Sequence, residues 1–312
     1  MQFGIFSVSD ITTDPVSGQT PSETERIGAI VQIAQQAEEV GLDVFAIGEH
    51  HNPPFFSSAP TTLLAFIAAT TRKLIVSTAT TLITTNDPVR IAEDYAMLQH
   101  LSKGRMDLML GRGNTAPVYP WFGHYIRLIG FYRQRYAYYG HGTEQQAIVG
   151  LGGQAYIARN SQDAKRAFRP YFDEAPVYGH GPSMEDFMDA TPLSVGSPQE
   201  VIDKTLTFRE HFGVYQRQLF LMDHAGLPLK TVLDQLDLLG GEVVPVLRKE
   251  IAARQDPQTP EAPTHASLVT AKYGDAAPRQ PRPNANRGDN LTGTSPYQDS
   301  DPEIVADLPL VR

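Results

Sequence analysis

Short apolar segments alternate with amphipathic segments along the first 114 residues of the chain. Runs of apolar and β-branched residues predict four strands, at residues 3–8, 42–47, 74–83 and 106–110. Apolar residues at helical spacing predict three intervening helices, which begin near Ser22, Thr61 and Asp87. Because a strand between two helices is typical of a parallel sheet covered on both faces, the pattern predicts four consecutive βα units.

The second half of the chain continues this alternation less regularly. Two further strands are predicted, at residues 147–158 and 217–222. Helices are predicted at residues 131–139, 161–168, 197–212 and 229–250. The stretch Pro170–Pro192 is rich in Pro, Gly and His, which predicts an irregular connection. The sequence therefore contains six recognisable strands.

Residues 251–312 differ in composition from the rest of the chain. Nine of the 24 prolines follow residue 255, among Gln, Asn, Asp, Thr and Ser, and the hydrophobic periodicity is lost. A segment of this kind buries too little apolar surface to offset the entropy of ordering it. We therefore expect one α/β domain over residues 1–250, followed by a disordered, proline-rich tail.

Composition narrows the class of protein. A chain of 312 residues is long enough for one large domain or two small ones. The net charge of −9, without a basic stripe, argues against a nucleic-acid-binding protein. Cysteine is absent, which excludes disulfides, thiolate nucleophiles and cysteine-ligated zinc. Neither a signal peptide nor a bilayer-spanning apolar run is evident, so we expect a cytoplasmic protein without membrane contacts.

Three polar residues follow the second predicted strand. This strand, residues 42–47, ends at Gly48 and places Glu49, His50 and His51 at its carboxyl end. In parallel α/β folds that end of the strands carries the chemistry, so the three side chains are candidate catalytic groups. A polar loop with two adjacent histidines is the alternative. A metal site is disfavoured, because adjacent side chains on an extended segment point to opposite sides.

Five short motifs occur in a fixed order within the predicted strands, helices and loops. They are Glu49–His51, Thr78–Thr80, Asn86–Arg90, Leu101–Arg105 and Gly111–Gly113. In this order and spacing they resemble the bacterial luciferase-like flavin-dependent monooxygenases. The resemblance covers residues 1 to about 124 and resumes from about residue 131 to residue 250. It implies a TIM-barrel-like (β/α)8 fold that binds reduced flavin at the carboxyl ends of its strands.

The resemblance implies roles for the residues after the second strand. His50 is the implied catalytic residue, because an imidazole with an ordinary pKa of about 6.5 gives or takes a proton at working pH. Glu49 either orients a histidine or caps the loop, and His51 is either a second catalytic group or a structural neighbour. The implied cofactor is FMN, reduced by a separate flavin reductase. Dioxygen and a small organic molecule are the implied substrates.

The resemblance also implies a cofactor-binding surface at the ends of the third and fourth strands. It assigns cofactor binding to Thr78, Ala79, Thr80, Gly111, Arg112 and Gly113. A flat ring can lie against the small residues of the third strand, where the family has a non-prolyl cis peptide between Ala79 and Thr80. Arg112 is implied to hold the flavin phosphate. Taken without the resemblance, residues 77–81 predict an ordinary β-branched strand.

The strand count departs from the family pattern. A closed barrel of this type has eight strands, whereas six are recognisable here. The sequence before residue 127 joins almost directly to the helix from residue 131. We therefore infer an internal deletion near residues 127–131 that removes roughly two βα units. Missing strands leave open sheet edges, which a homodimer could cover.

The inferred deletion keeps other functions open. An open barrel would bind FMN weakly and let oxygen be consumed without oxidising a substrate, unless a dimer closes the gap. A deazaflavin-dependent oxidoreductase of the same superfamily, which transfers hydride without oxygen, is one alternative. The other is a truncated, non-catalytic protein that binds flavin weakly or pairs with a partner.

Overall fold

A parallel sheet of seven strands, with helices packed against it, organises the unit Met1–His265. The computed structural model describes residues 1–111, 123–175, 181, 183–257 and 259–274 of the chain. The main hydrophobic core lies between this sheet and its helices, and Phe3, Phe45 and Phe220 are among its buried strand residues.

The first half of the chain supplies four strands to the main sheet, and these lie side by side in chain order. The elements are β1 (Gln2–Ser7), α1 (Glu23–Glu39), β2 (Val44–Ile47), α2 (Pro60–Thr70), β3 (Ile75–Thr78), β4 (Thr81–Leu82), α3 (Pro88–Leu101), β5 (Met106–Asp107) and β6 (Leu110–Gly111). β1 pairs with β2, β2 with β3 and β3 with β5, all in parallel. The predicted run of βα units is confirmed.

Two helices of this half, α1 and α3, begin at side chains that cap them. Ser22 and Glu25 form a capping box at the start of α1. Asp87 accepts the N–H of Val89 at 2.8 Å, directly before Pro88 at the start of α3. These contacts satisfy N–H groups that the first turn of a helix leaves unpaired, which is why the predicted starts agree with the observed ones.

The third and fourth predicted strands are each interrupted once. The peptide bond between Ala79 and Thr80 is cis and separates β3 from β4. β4 continues the pairing by running parallel to β6. Where the two ladders are interrupted, the Thr78 hydroxyl donates to the Met109 carbonyl at 2.8 Å and accepts the Met109 N–H at 2.9 Å. This side chain replaces the missing backbone partner.

The second half adds three strands and most of the helices. Its elements are α4 (Gly123–Tyr138), β7 (Gly150–Ile157), α5 (Ser161–Glu174), α6 (Met184–Ala190), β8 (Ser194–Gly196), α7 (Pro198–Phe212), β9 (Arg217–Leu221), α8 (Leu229–Leu238), α9 (Val244–Arg254) and α10 (His265–Tyr273). β9 pairs with β1, and β7 pairs with both β9 and β8. β8 was not predicted, because three residues are too few to show a period in the sequence.

The stretch Pro170–Pro192 contains two helical segments, so the prediction of an irregular connection was wrong there. Helix α5 runs through Pro170 to Glu174, and α6 follows. Phe168, Tyr171 and Phe172 are buried against the core from α5. Burying large apolar side chains contributes roughly 1.5–3 kcal/mol each, which outweighs the cost of about 3 kcal/mol for an interior proline. Residues 176–180 and 182 of this stretch lie outside the described residues.

The predicted helix at residues 229–250 is continuous but contains a π-helical turn, Leu239–Val243, between α8 and α9. Gly240 lies in this turn against the end of α1. A β-carbon at Gly240 would lie 2.5 Å from the carbonyl oxygen of Val40, so only glycine permits this approach.

Helical structure extends beyond the predicted start of the tail at residue 251. α9 continues to Arg254 because Ile251 is buried against the core. α10 was not predicted, although Ala, Leu and Lys within it favour helix. The end of α9 and α10 are thus helical parts of the predicted tail, whose disorder stays a prediction, and residues 275–312 lie outside the described residues.

Within the described residues the sheet does not close into a barrel. Its order is β5-β3-β2-β1-β9-β7-β8, with β5 and β8 at the two ends. The predicted incomplete TIM-barrel-like fold is confirmed. Among the described residues its main sheet has seven strands, one more than the six predicted, and β4 and β6 form a separate pair. The predicted deletion point, residues 127–131, falls inside α4 and stays a prediction. None of the described helices is long and apolar enough to cross a lipid bilayer.

Candidate functional site

The residues that follow β2 and β3 are joined at one edge of the sheet. The Glu49 N–H donates to the Thr80 carbonyl at 3.2 Å, and the Ala79 N–H donates to the Ile47 carbonyl at 2.8 Å. The Gly48 N–H donates to the Ser7 carbonyl at 2.9 Å, which adds the end of β1. The two predicted parts of the site therefore meet at the carboxyl ends of neighbouring strands, as parallel pairing requires.

Glu49 is an anchor between two loops. Its side chain is buried, with 4% of the residue exposed. The carboxylate accepts the Leu82 N–H at the end of β4 at 2.9 Å and the Asn86 amide of the segment before α3 at 2.7 Å. Its Oε1 also lies 2.9 Å from Nε2 of His51. Of the two predicted roles, orientation of a histidine agrees with this geometry, and that histidine is His51.

His50 makes different contacts from His51. Its ring lies nearly flat on Phe55, with ring centroids 4.1 Å apart and an angle of 23° between the planes. The backbone N–H of His50 donates to the Ser57 carbonyl at 3.0 Å, which fixes the backbone of the loop. The His51 side chain is 45% exposed and contacts Glu49. The two histidines therefore lie in different environments.

Burial lowers the pKa of the His50 imidazole below its ordinary value. Among the described residues, the charge of Glu49 opposes this by raising the pKa, His51 adds to the lowering, and Asp10 raises the pKa. Desolvation is the strongest of these effects. At neutral pH, His50 is therefore the neutral imidazole, with one ring nitrogen able to donate and the other able to accept a proton.

A surface of small residues lies beside His50. A β-carbon at Gly48 would lie 3.1 Å from Nε2 of His50 and 3.3 Å from the Ala79 carbonyl oxygen, so both groups pack closely against this glycine. A β-carbon at Gly111 would lie 2.4 Å from Oγ1 of Thr80. Glycine at both positions permits the close approach of the His50 and Thr80 side chains.

Seven of the nine predicted site residues are brought together here. They are Glu49, His50, His51, Thr78, Ala79, Thr80 and Gly111. The Thr78 hydroxyl is engaged with Met109, which leaves Ala79 and Thr80 as the half-buried members of the surface. Arg112 and Gly113 lie outside the described residues.

A charged network behind the site was not predicted. Arg26 is buried and contacts Asp10 after β1 and Asp223 after β9, with Nη2 2.9 Å from Oδ2 of Asp223. The sequence contained a signal for it. Arg26 occupies the buried face of α1, whereas the neighbouring Ile27 is 41% exposed. A charged residue at a core position of a helix predicts a buried partner.

A cavity of about 760 Å³ opens elsewhere, between the first turns of α1 and α8. Asp10, Arg26 and Asp223 line part of it, together with Gln19 and Leu229. None of the predicted site residues lines this cavity within the described part of the chain. It is therefore separate from the surface beside His50.

Residues 1–127 match the luciferase-like monooxygenase family. A comparison with curated proteins gave no match. Among solved structures, the chain is similar to the monooxygenase RslO1 from Streptomyces bottropensis, with 18% identity and a TM-score of 0.66 over 79% of this chain and 99% of that one. It is also similar to the oxygenating constituent of 3,6-diketocamphane monooxygenase from Pseudomonas putida, in complex with FMN, with 15% identity and a TM-score of 0.63 over 78% and 98%.

A coenzyme F420-dependent enzyme shares the same fold. Tetrahydromethanopterin reductase from Methanopyrus kandleri is 16% identical, with a TM-score of 0.55 over 79% of this chain and 99% of that one. At such identities the likeness shows the fold alone. The match over residues 1–127 and the shared fold confirm that this chain resembles the luciferase-like flavin-dependent monooxygenases.

Proposed function

We propose that this chain is a flavin-dependent monooxygenase that uses reduced FMN and dioxygen to oxidise a small organic substrate. A separate flavin reductase would supply the reduced cofactor. One observation carries the proposal: the neutral imidazole of His50 and the Ala79 carbonyl both pack against Gly48, at the carboxyl ends of β2 and β3. A proton-transferring group beside a flat, small-residue surface is what chemistry on a planar cofactor requires.

The residues present fit a flavin ring. A side chain at Gly48 would fill the space between His50 and Ala79, and a side chain at Gly111 would collide with Thr80. Residues 48, 79 and 111 are Gly, Ala and Gly, so none of them places a bulky side chain at this edge of the sheet. Gly48, Ala79 and Thr80 would hold the ring, and the resemblance assigns its phosphate to Arg112. When bound, reduced FMN supplies the electrons that activate dioxygen.

Each ionisable residue has a distinct role in this proposal. His50 would give or take a proton at a ring nitrogen, and its lowered pKa keeps it neutral at working pH. Glu49 is assigned no contact with cofactor or substrate. Its carboxylate fixes the loop that carries His50 to the segment before α3. His51 completes that anchor.

A deazaflavin-dependent oxidoreductase is the second candidate. Its support is the fold shared with F420-dependent enzymes, which include an F420-dependent secondary alcohol dehydrogenase with a TM-score of 0.53. Such an enzyme would transfer hydride and would not consume oxygen. A non-catalytic protein is the third candidate, supported by the open ends of the sheet at β5 and β8, which a homodimer or another partner would cover.

An anaerobic titration distinguishes the three candidates. The full chain is titrated with reduced FMN and with reduced F420, each followed by absorbance and fluorescence. The proposal predicts saturable binding of reduced FMN and weaker binding of F420. Stronger binding of F420 would favour the second candidate, and binding of neither would favour the third.

A further inference from the structure

The ring that stacks on His50 belongs to a residue with no role in the site as described so far. Phe55 covers one face of the imidazole at 4.1 Å between centroids. Aromatic rings at this distance and near-parallel angle attract each other and exclude water from the face that they share. The imidazole is therefore held in one plane, with its ring nitrogens directed along that plane.

The backbone of Phe55 is fixed by the loop after β1. The Ile11 N–H donates to the Pro54 carbonyl at 2.8 Å, and the Phe56 N–H donates to the Ser9 carbonyl at 3.0 Å. Between these bonds, Asp10 and Phe55 form an antiparallel bridge. Two short segments, residues 9–11 and 54–56, thus form a small ladder that presents the Phe55 ring to His50.

Buried charges hold this ladder in place. Nε of Arg26 donates to the Asp10 carbonyl at 2.9 Å, and the Asp10 carboxylate accepts the Ala225 N–H at 3.2 Å. Arg26 also donates to Asp223, as described above. A buried charge that loses its partner is strongly destabilising, so this arrangement resists displacement. Helix α1 and the loops after β1 and β9 therefore form a rigid support behind Phe55.

Resting on the proposed role of His50, we propose that Phe55 is a positioning residue for that histidine. Its ring sets the plane of the imidazole, whose Nε2 packs against Gly48 at the edge of the sheet beside which the cofactor would lie. The titratable groups that act on His50 among the described residues are Glu49 and His51 on its own segment and Asp10 from the loop after β1. Phe55 adds burial to their charges.

The test compares Phe55→Ala, Phe55→Leu and Phe55→Tyr in the full chain, with Phe66→Ala as the control because Phe66 is 59% exposed on α2. The readouts are the dissociation constant of reduced FMN, the rate of oxygen-dependent turnover of the bound FMN, and the pH profile of that rate. Phe55→Ala should lower the rate by roughly tenfold to hundredfold, as small misplacements of catalytic groups do. Its FMN affinity should change less than about twofold, a difference of no more than about 0.4 kcal/mol.

Each substitution at position 55 retains a different property of the phenylalanine ring. Phe55→Tyr keeps a ring and should retain the parent rate, whereas Phe55→Leu keeps apolar burial without a ring plane and should lie between Tyr and Ala. In Phe55→Ala the limb of the pH profile assigned to His50 should move to higher pH, because burial that lowers the pKa of His50 is lost. The assignment of that limb comes from its absence in His50→Gln.

Two results would overturn the positioning role. One is an unchanged rate and pH profile in Phe55→Ala. The other is an FMN affinity that falls by more than about tenfold with an unchanged rate for the bound form, which would make Phe55 a cofactor-binding residue. If His50→Gln keeps the parent rate, the proposed function itself fails. If His50→Gln loses the rate while Phe55→Ala keeps it, only the positioning role fails.

Discussion

The Glu49 carboxylate lies 2.9 Å from Nε2 of His51, while the ring of the neighbouring His50 stacks on Phe55. Adjacent histidines at the end of one strand thus belong to different environments. His51 is part of an anchor that ties the loop after β2 to the segment before α3. His50 remains as the imidazole that packs against Gly48 beside the Ala79 carbonyl.

The Glu49 anchor predicts a loss of stability in Glu49→Gln. The substituted amide presents two donors where Leu82, Asn86 and His51 all offer donors of their own. Mismatched buried groups of this kind cost about 1–3 kcal/mol of the free energy of unfolding. Urea denaturation measures the difference. Glu39→Gln, at an exposed position of α1, is the matched control, and an equal effect of both substitutions would contradict the anchor role.

The lowered pKa of His50 predicts an acid-dependent loss of stability. The folded state binds a proton at His50 less readily than the unfolded state, whose histidines titrate near 6.5, about the model-peptide value. This contribution is therefore fully present above pH 6.5 or so and is lost as the pH falls from there through the lower folded-state pKa. Urea denaturation between about pH 5 and 8 should show a shallower loss in His50→Gln than in the parent.

Two other histidines serve as comparisons in that measurement, one buried and one exposed. Burial also lowers the pKa of His224, so part of the acid dependence should remain in His50→Gln. His100→Gln, at an exposed position of α3, should leave the parent curve unchanged. Identical acid dependence in the parent and in His50→Gln would show that His50 is not desolvated in solution.

The contact between Gly111 and Thr80 predicts that Gly111→Ala distorts the cofactor surface. The added β-carbon would lie 2.4 Å from Oγ1 of Thr80, which must move. Overpacking typically costs about 1–3 kcal/mol, and reduced FMN should bind more weakly. Gly28→Ala in α1 is the control, because no atom lies within 4 Å of its β-carbon position.

A second substitution separates the clash from other effects of Gly111→Ala. Thr80→Gly removes the atoms that the new β-carbon meets, so the double variant should be more stable than Gly111→Ala alone. The comparison is made by thermal and urea denaturation of all four combinations. Additive effects of the two substitutions would contradict a direct contact between these positions.

An ion pair across the curved sheet predicts a contribution to the stability of the open barrel. Asp107 of β5 pairs with Arg217 of β9, although β3, β2 and β1 lie between these strands in the sheet. Arg217→Met should lower the free energy of unfolding by about 1 kcal/mol, a modest value because Asp107 is partly exposed and screened by solvent. Arg254→Met, in an exposed pair with Glu250, should have a smaller effect in urea denaturation.

The first half of the fold was predictable because its pattern is local. Buried strands such as Val44–Ile47 are short apolar runs. Helices α1 and α3 begin after Ser22 and Asp87, residue types that commonly cap helices. The same reasoning failed where tertiary packing overrides a local signal. Pro170 predicts a break, yet α5 continues because its aromatic face is buried.

The position of the candidate site at one edge of the sheet was predictable, whereas the contacts among its side chains were not. Glu49, His50, Ala79 and Thr80 lie near one another because parallel strands end at a common edge, and their functional roles stay predictions. Which histidine meets Glu49 depends on how the loop turns, and the Phe55–His50 stack depends on pairing between segments some 45 residues apart. A sequence shows neither of these.

The central claim is tested most directly by comparing the parent chain with His50→Gln, both loaded with reduced FMN and then mixed with oxygen. The account predicts that both proteins bind reduced FMN with similar dissociation constants, above about 1 μM because the sheet is open. It predicts that oxygen-dependent turnover of the bound cofactor falls by roughly a hundredfold or more in His50→Gln, because a positioned proton-transferring group is lost. No binding of reduced FMN to either protein, or equal turnover by both, would contradict it.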